Sequence, residues 1–291
     1  MKVLSNENKG ILYAVSSGLC FGLLGYFGVT LVQAHLSIYT MLFWRFAVGS
    51  IAVLVCLLPS YKTIFHQPKE VIKVFIYGIT FYSITAILYF ISCIYIGTGL
   101  AMVIFFTYPV MVILLNRLLY KTSIPKSYYG AVGLILVGML LLGSNQEVTF
   151  NVYGLLLGLL SAFFYAFYVI ASKKSTLVPL VSTLVVSVGS LVTCFVCAYF
   201  GGTFFVPHEL YVWMNILALG TLCTALPILL ILKALKYITP EKASLLSVLE
   251  PVFVLIFGAV LLDESLSTTQ LLGVAIVLIG AIATLFGGSK K

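Results

Sequence analysis

The sequence predicts an all-α polytopic membrane protein, with ten transmembrane helices arranged as two inverted five-helix repeats around a central cavity. Three observations lead to this fold class. The chain of 291 residues is 62% hydrophobic and only 8% charged, whereas soluble domains carry about 25% charged residues. Its apolar residues form long uninterrupted runs, and its two halves carry related residues at matching positions.

The apolar runs are long enough to cross a membrane as helices. A helix needs about 20 mainly apolar residues to cross the hydrocarbon layer, whereas the strands of a membrane barrel alternate in polarity over about ten residues. We number the qualifying runs as spans one to ten: 10–32, 38–58, 71–95, 98–119, 127–143, 152–172, 180–200, 211–236, 242–262 and 269–287.

The charged residues indicate which side of the membrane each loop faces. When the N-terminus is placed in the cytoplasm, the outer loops contain acidic residues and no basic ones, as the positive-inside bias of membrane proteins requires. The net charge of +8 therefore indicates a lipid bilayer as partner and not nucleic acid, and both termini are expected in the cytoplasm. The outer acids are Glu147, Glu209, Asp263 and Glu264. The inner segments hold 15 of the 16 basic residues: Lys2, Lys9, Lys62, Lys69, Lys73, Arg117, Lys121, Lys126, Lys173, Lys174, Lys233, Lys236, Lys242, Lys290 and Lys291.

The chain also repeats itself, which predicts a first five-helix repeat at 1–145 and a second at 150–288. Early positions match at an offset of 144 residues and later ones at 142. The matched pairs are Gly10 with Gly154, Ser17 with Ser161, Gly18 with Ala162, Phe21 with Tyr165, Gly22 with Ala166, Gly78 with Gly220, Tyr95 with Tyr237, Ala101 with Ala243, Pro109 with Pro251 and Gly138 with Gly280.

An odd number of spans per repeat means that the second repeat enters the membrane from the opposite side. The loop charges agree, because Arg117, Lys121 and Lys126 follow span four whereas Asp263 and Glu264 follow span nine. Inverted repeats recur in secondary transporters, which place the substrate site near the midplane between the two halves. Channels with inverted repeats also exist, so the pattern favours a transporter without excluding a pore.

Over essentially its whole length the chain resembles the drug/metabolite transporter superfamily, in particular the EamA-type ten-helix exporters. The resemblance rests on FWRF in span two, on the paired proline-containing spans four and nine, and on LEPVF and LLDESLSTTQLLGVAIVLIG at the end. It implies a multi-pass protein of the cytoplasmic (inner) membrane of a bacterium, with a central cavity lined by both repeats. The family pattern more often has glycine where Asp263 stands before Glu264, and Lys121 and Thr122 replace an acid that often ends span four.

Two charged residues are predicted to lie close to the bilayer midplane. Glu250 is about nine residues from the inner end of span nine, or roughly 13 Å, and Arg45 is at similar depth in span two. A charge there costs about 2.5–3.5 kcal/mol on insertion scales, so each is expected to face a wet cavity or a partner. Three roles stay open for Glu250: binding the cationic end of a substrate, carrying a coupling proton, or holding the structure, for example by pairing with Arg45. For Arg45 we favour a structural role.

Three prolines predict helix bends in spans four, eight and nine: Pro109, Pro227 and Pro251. A proline lacks the N–H that would bond the carbonyl four residues earlier, so Pro251 frees the carbonyl of Ser247 and Pro109 that of Phe105. A bent, polar point in the middle of two matched helices suits a midplane substrate site, and two packed kinks without a ligand are the alternative.

Aromatic residues recur at helical spacing on several spans, so that they share faces. Tyr82 and Tyr89 share a face of span three, Tyr165 and Tyr168 a face of span six, and Tyr108 lies on span four with Phe105 before it. Tyrosine combines a flat apolar body with a hydroxyl group, which suits flat amphipathic ligands. We therefore predict a substrate site that contains Tyr82, Tyr89, Phe105, Tyr108, Tyr165, Tyr168, Ser247 and Glu250, with plain helix packing as the alternative.

These observations favour a secondary transporter of a small amphipathic metabolite. Amino acids or related zwitterions, exported, are the best match because Arg45 and Glu250 offer opposite charges. A nucleoside-like or S-adenosylmethionine-like substrate, taken up or exchanged, is the alternative, and a passive channel or an intramembrane enzyme is the alternative of another class. We find no catalytic or metal-binding motif and expect neither enzymatic activity nor a cofactor. The coupling ion, protons among the candidates, and the oligomeric state are left open.

Overall fold

A computed structural model describes residues 5–60, 66–121, 124–143, 151–261 and 266–286. Every regular element in these ranges is helical. Two short π-helical turns lie at Gly78–Tyr82 and Thr221–Ala225. The α-helices are α1 (Asn6–Gly22), α2 (Leu24–Gln33), α3 (Ile38–Leu57), α4 (Pro68–Tyr77), α5 (Ser83–Phe105), α6 (Tyr108–Tyr120), α7 (Lys126–Leu142), α8 (Val152–Lys173), α9 (Pro179–Phe200), α10 (Leu210–Gly220), α11 (Leu226–Tyr237), α12 (Pro240–Ser247), α13 (Glu250–Leu261) and α14 (Thr268–Phe286).

The helices begin where the sequence supplies start signals. Ser5, Ser37, Asn151 and Thr239 each accept a hydrogen bond from a first-turn backbone N–H through the side chain, which satisfies a donor that the helix leaves free. Proline occupies the first turn of several others, where its missing N–H costs nothing. Local chemistry therefore sets these boundaries before any packing is considered.

The described chain is a multi-pass membrane protein by length and composition. Seven helical segments are long and apolar enough to span a membrane, and the apolar helices at Tyr108–Tyr120, Lys126–Leu142 and Thr268–Thr284 are shorter. Many large apolar side chains lie on the outside of the bundle, among them Leu118 and Phe200. A soluble protein would not expose so much apolar surface, whereas lipid solvates it.

Gly97 separates the predicted spans three and four within α5. Its backbone has φ 78° and ψ 157°, a left-handed combination that favours glycine. A Cβ added to Gly158 would lie 3.0 Å from both Ser92 Oγ and Ile104 Cγ2. These two atoms are therefore at most about 6 Å apart, whereas a straight helix would separate residues twelve apart by about 18 Å. The chain consequently folds back at Gly97, near the predicted boundary.

Irregularities in the helices occur in pairs, one in each half of the chain. The helix is broken at residues 106–107 and again at 248–249, which are 142 residues apart. The two π-helical turns are also paired. The first begins at Gly78, and the second begins directly after Gly220, the glycine that matches Gly78. Pro109 and Pro251 each stand second in the helix that follows a break, and Pro227 stands second in α11.

Contacts between helices are also paired. Ser17 Oγ donates to the carbonyl of Pro227 at 2.9 Å, and Ser161 Oγ donates to the carbonyl of Thr85 at 2.9 Å. Ser161 is the match of Ser17, and Pro227 lies 142 residues after Thr85. The same local sequence thus produces the same interhelical bond in each half.

Helices α7 and α14 cross at glycines and run in opposite directions. A Cβ on Gly138 would meet Gly273 and Val277, and a Cβ on Gly280 would meet Ala131 and Ile135. Later residues of one helix therefore oppose earlier residues of the other. Small residues allow backbones to approach closely in membranes, where apolar burial gives no preference for helix over lipid.

Two backbones are in close contact at the π-helical turn of span three, so a larger side chain there should lower the stability of the protein. A Cβ at Gly78 would lie 2.5 Å from the carbonyl oxygen of Val186, and a Cβ at Gly189 would lie 2.5 Å from that of Phe75. We expect Gly78→Ala and Gly189→Ala each to lower the free energy of unfolding by about 1–3 kcal/mol. Thermal unfolding in detergent, followed by size-exclusion chromatography, measures the change.

Gly130 supplies the matched control, because nothing lies within 4 Å of an added Cβ there. Gly130→Ala, in the interior of α7, is expected to raise stability by about 0.5–1 kcal/mol through helix propensity. Equal stability of the Gly78 and Gly130 variants would contradict the close approach of the two backbones.

Candidate functional site

Aromatic side chains from three predicted spans meet near the middle of the bundle. Their ring centroids lie 4.7 Å apart for Tyr108 and Tyr165, 4.8 Å for Tyr82 and Tyr168, 5.2 Å for Tyr89 and Phe105, and 5.4 Å for Phe105 and Tyr165. Such spacings are those of interacting aromatic pairs. All six belong to the site predicted from the sequence, and we call them the aromatic cluster: Tyr82, Tyr89, Phe105, Tyr108, Tyr165 and Tyr168.

Glu250 is the first residue of α13, and it lies within electrostatic range of four tyrosines of the aromatic cluster: Tyr82, Tyr89, Tyr108 and Tyr165. A carboxylate at a helix N-terminus is favoured by the helix dipole. The side chain is half-buried, and it makes no hydrogen bond or ion pair with any residue that the structure describes.

The break before Glu250 brings main-chain atoms close to the cluster. Pro251 offers no N–H to the carbonyl of Ser247, and a Cβ on Gly18 would lie only 3.8 Å from that carbonyl oxygen and 3.4 Å from the nitrogen of Glu250. Tyr108 Oη donates to the carbonyl of Ser244 at 3.3 Å, one turn earlier. Ser247 itself is buried, and its hydroxyl bonds within its own helix, to the carbonyl of Ala243.

Arg45 is bonded to the helix segment around the second π-helical turn. Its side chain is 4% exposed. Nε donates to Thr224 Oγ1 at 2.6 Å, and Nη2 donates to the carbonyl of Cys223 at 3.0 Å. The ion pair that the sequence suggested between Arg45 and Glu250 is not formed in this structure.

Pro227 explains why Arg45 bonds there. In an α-helix the carbonyl of Cys223 would accept from the N–H of residue 227, which proline lacks. The guanidinium supplies a donor in its place, and a buried carbonyl without a donor is costly. Thr224 Oγ1 in turn donates to the carbonyl of Leu219 at 2.8 Å. Arg45 thus joins span two to span eight at the π-helical turn, where Pro227 cannot donate to the carbonyl of Cys223.

Part of the aromatic cluster is closed off from solvent in this structure. Tyr108 and Tyr168 are 1% and 0% exposed, so no water-sized space adjoins them. Tyr89, Phe105 and Glu250 are half-buried. The accessible surface of the aromatic cluster is therefore concentrated on Tyr89 and Phe105. The other rings pack against one another inside the bundle.

An apolar groove of about 240 Å³ lies elsewhere, on the outer surface between spans three and seven. Apolar side chains alone line it, as expected for a surface that faces lipid acyl chains: Val71, Ile72, Phe75, Leu184, Val185 and Val188.

A polar group that sequence reasoning did not single out lies at one end of the bundle. Asn116 Nδ2 donates to Glu241 Oε1, and Lys242 Nζ donates to Glu7 Oε1 at 2.6 Å. In the sequence, Glu241 directly precedes span nine, and Lys242 is one of the inner basic residues. Two adjacent opposite charges at the start of an apolar span are the sequence feature that could have indicated this polar group.

In the described ranges, no group of three or more His, Cys, Asp or Glu residues is placed to hold a metal ion. The predicted outer charges Glu147, Asp263 and Glu264 lie outside these ranges.

Comparison with known proteins identifies relatives across the whole chain. A family model described as the EamA-like transporter family matches twice, at residues 8–144 and 152–286. An uncharacterized transporter of Synechocystis is 27% identical over 202 residues, which is 66% of this chain and 60% of that protein. An uncharacterized transporter of Archaeoglobus fulgidus is 27% identical over 188 residues, which is 63% of this chain and 66% of that protein. These alignments thus span less than two thirds of either relative.

A longer alignment joins the chain to the uncharacterized transporter YxxF of Bacillus subtilis, with 21% identity over 286 residues, 96% of this chain and 90% of the relative. A protein of known crystal structure has the same fold, with a TM-score of 0.82, 19% sequence identity, and coverage of 96% of this chain and 98% of that one.

Proposed function

Because the chain belongs to the EamA-like transporter family, we propose that it is a secondary transporter that moves a small amphipathic metabolite across the cytoplasmic membrane by alternating access. The family resemblance predicted from the sequence is confirmed. Relatives described as transporters and the series of apolar helices support the activity. Export is the direction that the resemblance favours.

We propose that the ten spans form two inverted repeats, at 1–145 and 150–288. The paired helix breaks, the paired π-helical turns and the antiparallel crossing of α7 and α14 support this arrangement. The two separate matches to one family model, one in each half, support it too. The distribution of basic residues supports the placement of both termini in the cytoplasm.

The chemistry around Glu250 favours a cationic substrate over a zwitterion. An amino acid would need Arg45 for its carboxylate, but Arg45 bonds Thr224 and the carbonyl of Cys223. Glu250 has no such partner among the described residues and lies beside the aromatic cluster. A carboxylate next to aromatic faces suits an organic cation, because ring faces attract positive charge. The unbonded carboxylate beside these rings is the observation that carries the proposal of a flat amphipathic cation.

An S-adenosylmethionine-like substrate is the second candidate. Its sulfonium group is a cation that would meet Glu250, and its base would stack on the aromatic cluster. A neutral nucleoside would use the rings alone and leave the carboxylate without a counter-charge.

Proteoliposomes and a matched set of ligands test the activity and the charge together. Tyramine, tyrosine and 4-hydroxyphenylacetate share a phenol ring and are a cation, a zwitterion and an anion. We expect saturable counterflow of labelled tyramine, faster than that of tyrosine by about tenfold or more, since tenfold corresponds to only about 1.4 kcal/mol. Protein-free liposomes are the control.

Each other outcome identifies an alternative. Faster counterflow of tyrosine would restore the zwitterion, and selective transport of S-adenosylmethionine would favour the second candidate. Flux that rises linearly with concentration, without counterflow, indicates a channel. Chemical conversion of a ligand without transport indicates an enzyme.

A further inference from the structure

The short helix α12 places two charged residues inside the bundle. All eight of its residues are buried, and Glu241 and Lys242 are each 4% exposed. A buried charge is costly unless it is paired. Whatever partners these residues have therefore contribute to holding α12 in place.

Both partners come from the other half of the chain. Asn116 in α6 donates to the Glu241 carboxylate, and Glu7 in α1 accepts from Lys242 Nζ at 2.6 Å. The hydrogen bond from Tyr108 to the carbonyl of Ser244 adds a third link one turn deeper. Two polar contacts thus join the two proposed repeats at one end of the bundle, and a third joins them one turn deeper.

The opposite end does not have the same chemistry. The positions that match Glu241 and Lys242, 142 residues earlier, are Gly99 and Leu100. Neither has a side chain that can form an ion pair or a side-chain hydrogen bond. At these two matched positions the ends of the bundle therefore differ, although the helices around them are paired.

The exposure of the aromatic cluster follows the same difference. Tyr168, which lies toward the Lys173 end of α8, is fully buried, and so is Ser244 next to the charged pair. Tyr89 and Phe105, each eight residues from Gly97 at the opposite end, are half-buried. The end with the polar contacts is thus the closed one.

We infer that Glu7, Asn116, Glu241 and Lys242 form a latch that closes one end of the substrate path, an inference that rests on the proposed transporter function. The distribution of basic residues assigns this end to the cytoplasm. Because the matched positions at the other end, Gly99 and Leu100, carry no charged pair, the protein without substrate favours the conformation closed on the cytoplasmic side. Opening toward the cytoplasm requires Lys242 to leave Glu7 and Glu241 to leave Asn116.

Cysteine accessibility tests the latch. A variant with all six native cysteines replaced and carrying Ser244→Cys reports on the closed end, since Ser244 is 1% exposed. In inside-out vesicles without substrate, Lys242→Met is expected to raise the rate of labelling by a membrane-impermeant maleimide about threefold, as for a partly exposed ion pair. Glu7→Gln should do the same and is safe for folding, because the Glu7 side chain is 53% exposed. The exchanged pair Glu7→Lys with Lys242→Glu should return the rate toward that of the parent.

Lys236→Met is the matched control. Lys236 lies at the same end but donates to the carbonyl of Ser175 within the second repeat, so its loss should leave labelling unchanged. Equal rates in all variants, or an equal rise with Lys236→Met, would overturn the latch. A rise that occurs only in right-side-out vesicles would overturn the assigned orientation and keep the latch. If the parent protein of these variants shows no tyramine counterflow, that result would instead count against the proposed function.

Discussion

Glu250→Gln is expected to lower the rate of tyramine counterflow in proteoliposomes about 100-fold, because losing one partner of a desolvated charge pair costs about 2–5 kcal/mol. The substitution keeps the size and shape of the side chain and removes only its charge. Since Glu250 makes no bond with the described part of the chain, the melting temperature should change only by the small contribution of the helix dipole. Glu70→Gln is the control, as Glu70 lies far from Glu250 along the chain and pairs with Lys73 one helical turn away within α4.

The same variant separates the three roles that the sequence leaves open for Glu250. Counterflow needs no net movement of protons, so a residue that only couples transport to protons would retain counterflow and lose gradient-driven accumulation. A residue that binds the cation would lose both. A lowered melting temperature with normal substrate affinity would identify a structural role and contradict the proposed site.

Arg45→Met is expected to lower the free energy of unfolding by about 2 kcal/mol, because it leaves the carbonyl of Cys223 without a donor and removes the bond to Thr224. Denaturation in detergent micelles measures this change. Arg117→Met is the matched control: that guanidinium is exposed and donates to Tyr129 Oη at 3.1 Å, so its loss should change stability by less than about 0.5 kcal/mol.

The ligand specificity of the Arg45→Met variant provides a second test. The preference for tyramine over tyrosine should persist in this variant, since Arg45 is bonded to protein atoms. A stable Arg45→Met protein that selectively loses tyrosine binding would mean that Arg45 faces the substrate, and the zwitterion proposal would return.

Local chemistry explains how much of the fold the sequence predicts. A proline removes a main-chain donor wherever it stands, so Pro109 and Pro251 indicate interruptions, and the structure breaks both helices just before them. Helical spacing places Tyr82 with Tyr89 and Tyr165 with Tyr168 on shared faces whatever the tertiary structure. The contact of these faces across three spans additionally requires the packing of the bundle.

The sequence alone could not predict contacts that depend on how one helix is rotated against another. The partner of Arg45 depends on how span two faces span eight, and the sequence alone does not fix that. The partners of Glu241 and Lys242 lie 125 and 235 residues away along the chain. The closed end belongs to one conformation of the molecule, and a sequence specifies all conformations of a transport cycle together.

Opposite orientation of the two repeats is the central claim, and a pair of matched cysteines tests it most directly. Lys126 begins α7 and Thr268 begins α14, 142 residues later, and both are exposed. In a cysteine-free background, Lys126→Cys should react with a membrane-impermeant maleimide in inside-out vesicles, and Thr268→Cys should react in right-side-out vesicles. Reaction of both from the same side of the membrane would contradict the inverted repeat and the site built on it.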